Sequence, residues 1–248
     1  MEVHPPHGGI HSWRDFWIHL GTITVGLLIA ISLEQSMEWM HRVHERHVLQ
    51  GELRDEGDEN VKAVQVDIER LRFWRTGMVA RRKDVQQMIA SGGKLKLPFR
   101  MIPPRGAVAL PSESTWDSAK ASGKVALLPD YQSDVYSFLY QENELLKTQF
   151  ESIFMLSSEK LVFERGFDAK FADSGGDGTP DMASMSVEQL KEYSDILDKN
   201  VTQADSMIEF LKFFDAVNRA VLDGAGSQEE VVRRVDEEEN TRLGHSSF

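Results

Sequence analysis

Residues 16–33 read FWIHLGTITVGLLIAISL, a run of 18 without Asp, Glu, Lys or Arg. As a helix the run measures about 27 Å, close to the hydrocarbon thickness of a bilayer. A helix that is apolar all round has no face to offer water, so it must lie in lipid or inside a protein core. Trp13 and Trp17 flank one end and Trp39 the other. From Trp13 to Trp39 a helix covers about 39 Å, which places these rings as membrane-interface residues. His19, near one end, can reach the headgroup region. The run therefore predicts a single transmembrane helix over 13–33. A cleaved signal peptide and a buried soluble helix are the competing readings. Ala30-Ile31-Ser32 would serve as a small-x-small cleavage site, but Arg14 is the one basic residue before the run. The helix-compatible sequence also continues through Glu34–His47 without a turn residue.

Within the span, Thr22, Gly26 and Ala30 form a row of small residues four apart, the kind of face on which membrane helices approach closely. It predicts membrane-helix packing through these three positions. Orientation cues conflict. Arg14 precedes the span and Arg42, Arg46 and Arg54 follow it, which by the positive-inside rule favours a cytoplasmic C-terminal domain. The chain has no cysteine, a composition at ease outside the reducing cytoplasm.

The remainder is acidic. The chain carries 40 Asp and Glu against 28 Lys and Arg, a formal charge of −12, and only Glu2, Arg14 and Asp15 precede Glu34. Nucleic-acid binding is excluded as an expectation, because phosphates need a basic footprint. From Glu34 to Ala90 there is no proline. Leu53, Val64, Ile68, Leu71, Met78, Val85 and Ile89 keep a three-to-four spacing, as in an amphipathic helix. Gly51 and Gly57 suggest a kink, and the length suggests a bend or packed hairpin. Ser91-Gly92-Gly93 should end the helix. Ser114 with Asp117 reads as a cap for a short helix closing at Gly123, and Pro129-Asp130 starts another reaching about Arg165. Ser186 with Gln189 is a capping box ahead of a striped helix from Leu190 to Val221, and Ser227 with Glu230 opens a last one. The expected fold is all-α: one N-terminal transmembrane helix, then a coiled-coil-like helical bundle. Its parts are a flexible tail 1–12, the span 13–33 and a juxtamembrane amphipathic helix 34–90. A Pro-rich basic linker 91–111, a bundle 112–224 and an acidic C-terminal helix and tail 225–248 complete it.

Chemistry-bearing patterns are sparse. Glu38, His41 and His44 are weak metal candidates just past the span, with His47 one turn further. Glu38-x-x-His41 is the unit from which bundle di-metal sites are made, but a second copy of the unit is missing from the chain. His4, His7 and His11 lie in the tail and suggest adventitious metal affinity. Asp173, Asp177 and Asp181 fit parts of a calcium loop with Gly178, yet Ser184 stands where the bidentate glutamate belongs. Lys94, Lys96, Arg100 and Arg105 form a basic stretch, expected to lie against the acidic body of the same domain. No P-loop, G-x-S-x-G, H-E-x-x-H or cysteine nucleophile is present. The sequence predicts no enzyme activity, no catalytic residue and no cofactor.

One segment resembles a known group. Ser114-Thr-Trp-Asp-Ser-Ala-Lys-Ala-Ser-Gly-Lys-Val-Ala-Leu-Leu-Pro, with Leu139-Tyr140 downstream and the anchor ITVGLLIAISLEQ, is similar to a family of uncharacterised bacterial single-pass membrane proteins. That family combines an N-terminal anchor helix with a helical domain bearing a T-aromatic…SGK motif. The resemblance covers the anchor and about 30 residues near the middle. It implies a bacterial inner membrane and a domain facing away from the cytoplasm, with no assigned activity or site residues. The function expected is that of a membrane-anchored helical interaction or scaffold protein, self-associating or bound within a membrane complex. The alternative is a ligand-sensing bundle that signals through its anchor helix.

Overall fold

The computed structural model describes residues 13–95, 97, 110–167 and 182–245. The described residues are all-α, with short 3-10 turns at Lys124–Leu127 and Met182–Ser184. Five α-helices follow in order: α1 (Trp13–Ala90), α2 (Ser114–Ser122), α3 (Asp130–Arg165), α4 (Val187–Leu222) and α5 (Gln228–His245). Two compact units divide the chain, Met1–Gln50 and Gly51–Phe248.

The described part of the first unit is α1 up to Gln50. It holds the one helix among the described residues that is long and apolar enough to cross a membrane, and none of its most apolar 18-residue window is buried by protein. Trp13, Phe16 and Trp17 form a ring cluster with centroids 5.5–5.8 Å apart at one end.

In the second unit, residues 51–90 of α1 pack with α2 to α5. They gain their packing from α3 and α4, not from folding back in a hairpin. Arg54 meets Leu222, Gln65 meets Asp215, Arg75 meets Asp205 and Arg82 meets Asp198, so α4 runs antiparallel to α1. Glu56 pairs with Tyr140 and Arg81 with Glu164, which makes α3 parallel to α1. The striped positions Leu53, Val64, Leu71, Met78 and Val85 are buried as their spacing requires. The main core joins Leu71, Trp74 and Met78 of α1 to Leu139, Leu146 and Ile153 of α3 and to Leu211, Phe214 and Val217 of α4. Val231 and Val235 bring α5 into it. A second cluster unites Val85 and Met88 with Met182, Met185, Leu190, Tyr193 and Leu197.

Helix ends follow their local chemistry. Gly92 (φ 62°) and Gly93 (φ 76°) take the left-handed conformation that closes α1, and the Gly93 N–H reaches the Met88 carbonyl at 2.9 Å. The Ser186 and Gln189 capping box is complete, each side chain accepting the other residue's backbone N–H. Ser114 departs from expectation. It is the first residue of α2, not its cap; Glu113 occupies the cap position and makes no side-chain capping bond.

Gly51 and Gly57 do not interrupt the helix. Gly57 is instead a point of close approach. The Asn218 amide donates to the Gly57 carbonyl at 2.8 Å, and a Cβ there would stand 3.0 Å from Leu222 Cδ2 and 3.1 Å from Asn218 Oδ1. Gly51 has open space where a Cβ would go. Gly57→Leu is therefore expected to lower stability by about 1–3 kcal/mol through overpacking. Gly51→Ala should raise it by about 0.5–1 kcal/mol through helix propensity. Urea midpoints of the detergent-solubilised protein check both signs.

Candidate functional site

Between Ile18 and Ser36 of α1, four hydroxyls close on the helix itself. Thr22 donates to the Ile18 carbonyl, Thr24 to Leu20, Ser32 to Leu28 and Ser36 to Ser32, all within 2.7–2.9 Å. The three hydroxyls of the run 16–33, those of Thr22, Thr24 and Ser32, are thus satisfied without water, as a hydrocarbon environment demands of polar groups. Between them the side chains turn outward: Ile23 is 69% exposed and Leu27 59%. Thr22, Gly26 and Ala30 all lie on exposed helix surface, and a Cβ at Gly26 would touch nothing within 4 Å. Trp13, Trp17 and Trp39 are exposed as well.

Within the bundle, the segment of the SGK motif is organised by Glu56 of α1, which sequence reasoning did not single out. Glu56 is only 6% exposed. Its Oε2 accepts the Ser112 hydroxyl, the Ser114 hydroxyl and the Thr115 backbone N–H, each at 2.9 Å. Its Oε1 accepts the Tyr140 hydroxyl at 2.7 Å. The carboxylate therefore does across the fold what the Ser114 side chain was expected to do locally: it caps the N-terminus of α2. Asn60, one turn on, clamps Ser112 twice, donating to its carbonyl at 2.9 Å and accepting its N–H at 2.7 Å. From the other side, Asn143 of α3 donates to the Pro111 carbonyl at 3.2 Å, and Lys147 pairs with Glu113. Trp116 then stacks on Tyr140, with centroids 5.3 Å apart and planes 8° from parallel.

Burial alone would push the Glu56 carboxyl up. The Thr115 N–H and the Tyr140, Ser112 and Ser114 hydroxyls outweigh it and hold the group below the usual carboxylate range. Tyr140 is pushed well up by burial and by its bond to the Glu56 charge, so it stays a neutral donor. All four donors aim at the carboxylate, three at Oε2 and one at Oε1. The arrangement orients the start of α2.

A second buried polar cluster lies between α1, α3 and α4. Arg81, 1% exposed, donates to Glu164 at 3.1 Å and to the Tyr193 hydroxyl at 2.9 Å. Tyr193 in turn donates to Glu164, and Lys160 reaches the other carboxylate oxygen at 3.0 Å. Burial, then the Glu164 charge, push the Tyr193 phenol well up. Charges here are paired and hydrogen-bonded, the condition under which buried ions are tolerated.

The metal candidates find no convergence. Among the described residues, no group of three or more His, Cys, Asp or Glu side chains assembles in one copy of the chain. Glu38, His41 and His44 sit exposed along α1, where His41 faces Glu45 at 3.5 Å. Asp173, Asp177 and Asp181 lie outside the described residues, as do His4, His7, His11, Lys96, Arg100 and Arg105. A surface groove of about 520 Å³ runs between the start of α3 and the start of α5. Its lining mixes Tyr131 and Phe138 with Asp134, Gln141 and Glu229.

No protein-family profile, no curated protein and no solved structure matches the chain.

Held below its unfolded value, the Glu56 carboxyl contributes its full stability above a pH of about 4.3 and loses it as pH falls through the folded value. Glu56→Gln is expected to lower stability at pH 7 by about 1–3 kcal/mol, because it sets an amide N–H₂ among donors. The variant should also lose less stability than the native chain between pH 7 and pH 3. Thermal unfolding across that range reads both effects.

Proposed function

We propose that this chain is a single-pass protein of the bacterial inner membrane, whose bundle serves as an interaction scaffold for a membrane complex. In this reading residues 13–33 of α1 cross the bilayer, with Trp13, Trp17 and Trp39 at its interfaces. The observation that carries it is a run of large apolar side chains, without protein cover, on a helix whose hydroxyls are satisfied internally. The bundle residues argue for a scaffold over an enzyme: their buried charges are consumed in orienting helices. Copies associate through the Thr22, Gly26 and Ala30 face, where nothing keeps a second helix from close approach. The domain lies outside the cytoplasm, the side implied by the resemblance of the SGK segment and suited to a cysteine-free chain.

The native chain is expected to remain in the membrane pellet after alkaline carbonate washing and to leave it only with detergent. Release by carbonate would rule out a spanning helix. A cysteine replacing the exposed Thr202 of α4 should react with a membrane-impermeant maleimide in intact spheroplasts. Labelling confined to lysed cells would place the domain in the cytoplasm.

A further inference from the structure

Beyond Leu33 the apolar run ends, yet one stripe of α1 continues in a seven-residue repeat. Ala30, Met37 and His44 take its first position, and Gly26, Leu33, Met40 and His47 its fourth. From 34 to 50 the charged residues are Glu34, Glu38, Arg42, Glu45 and Arg46; the last four fall at the second, third or sixth position, away from the stripe, and Glu34 alone sits at the fifth, beside it. Their segregation is independent of the small-residue row and is what a helix pair in water requires of its seam. Val43 and Val48 flank the stripe where charges would otherwise repel or pair. In the single chain the stripe is uncovered: Leu33 is 61%, Met37 67% and Met40 59% exposed, and His44 and His47 are exposed too. Leu49, off the stripe, is buried.

We infer that a second copy of this chain pairs along this seam in parallel, and that His44 and His47 from both copies form one transition-metal site of the zinc type. The inference rests on the anchoring proposed above. Insertion in one direction makes two copies parallel, and interfacial tryptophans at a common depth set them in register. Residue 44 then meets residue 44 of the other copy, and 47 meets 47. His44 and His47 are three apart, so their side chains are neighbours on one helix face. One copy supplies two imidazoles, and the pair supplies four nitrogen donors, the number a tetrahedral zinc ion takes. Two successive imidazole layers inside an apolar seam are costly unless their nitrogens are satisfied, and a metal ion satisfies them. The site is incomplete without the second copy, which agrees with the absence of a converging set among the described residues of one chain.

The test uses the full chain in detergent or nanodiscs, stripped with chelator, carrying His4→Ala, His7→Ala and His11→Ala to remove tail histidines. Titration with zinc alone should bind one ion per two chains and raise the dimer fraction in native mass spectrometry. His44→Ala and His47→Ala should each abolish both effects while leaving helicity unchanged. Zinc binding that survives His44→Ala, or a dimer fraction indifferent to zinc, overturns the inference. A bismaleimide should cross-link copies carrying Met40→Cys and spare those carrying Arg42→Cys, and the reverse pattern overturns the seam. A chain that stays in the carbonate-washed membrane but shows no zinc-linked dimer sinks this inference alone. Release from that membrane sinks the anchoring first.

Discussion

An apolar helix surface without protein cover must be desolvated by something outside the chain. Each large aliphatic side chain moved fully from water to an apolar surrounding is worth about 1.5–3 kcal/mol. Residues 16–33 of α1 hold Ile18, Ile23, Val25, Leu27, Leu28 and Ile29 open, all more than half exposed. Left in water, the run forfeits on the order of 10 kcal/mol, comparable to the whole stability of an ordinary domain. Lipid or other chains of the same kind recover that energy. The hydroxyls of the run agree, since Thr22, Thr24 and Ser32 return them to the helix.

In the bundle the governing constraint is different. Apolar stripes bring α1, α3 and α4 together, but a stripe tolerates slippage by a turn. Buried polar groups set the register. Asn218 finds the Gly57 carbonyl, Asn60 finds both backbone groups of Ser112, and Arg81 finds Glu164 and Tyr193. Slippage by one turn would leave each of these groups buried without a partner, at about 1–3 kcal/mol apiece. Such a body holds its surface in one arrangement.

Much of this was legible in the sequence, for physical reasons. Helix ends depend on residues within a turn of each other. Gly92-Gly93, Gly123 and the Ser186 and Gln189 box therefore marked their sites correctly. Core positions such as Leu71 and Val85 repeat with the helix period. The α2 start misled because its cap comes from Glu56, 58 residues away from Ser114, and no local pattern announces a tertiary capping carboxylate. Gly57 read as a kink because propensity sees only the missing side chain. Asn218 and Leu222, which need the space, belong to another helix. The buried charges Arg81 and Glu164 carry no local signal, since burial of a charge depends on partners distant in sequence.

Placement of the apolar portion of α1 in hydrocarbon can be read directly by spin labelling. Because the chain has no cysteine, a nitroxide can be placed at Ile29 alone and the protein reconstituted in vesicles. Power-saturation measurements then compare collisions with oxygen, which concentrates in lipid, and with a water-soluble nickel chelate. A helix in hydrocarbon gives high access to oxygen and low access to the chelate at Ile29, reversed for a label at exposed Thr202. Chelate access at Ile29 equal to that at Thr202 would contradict it.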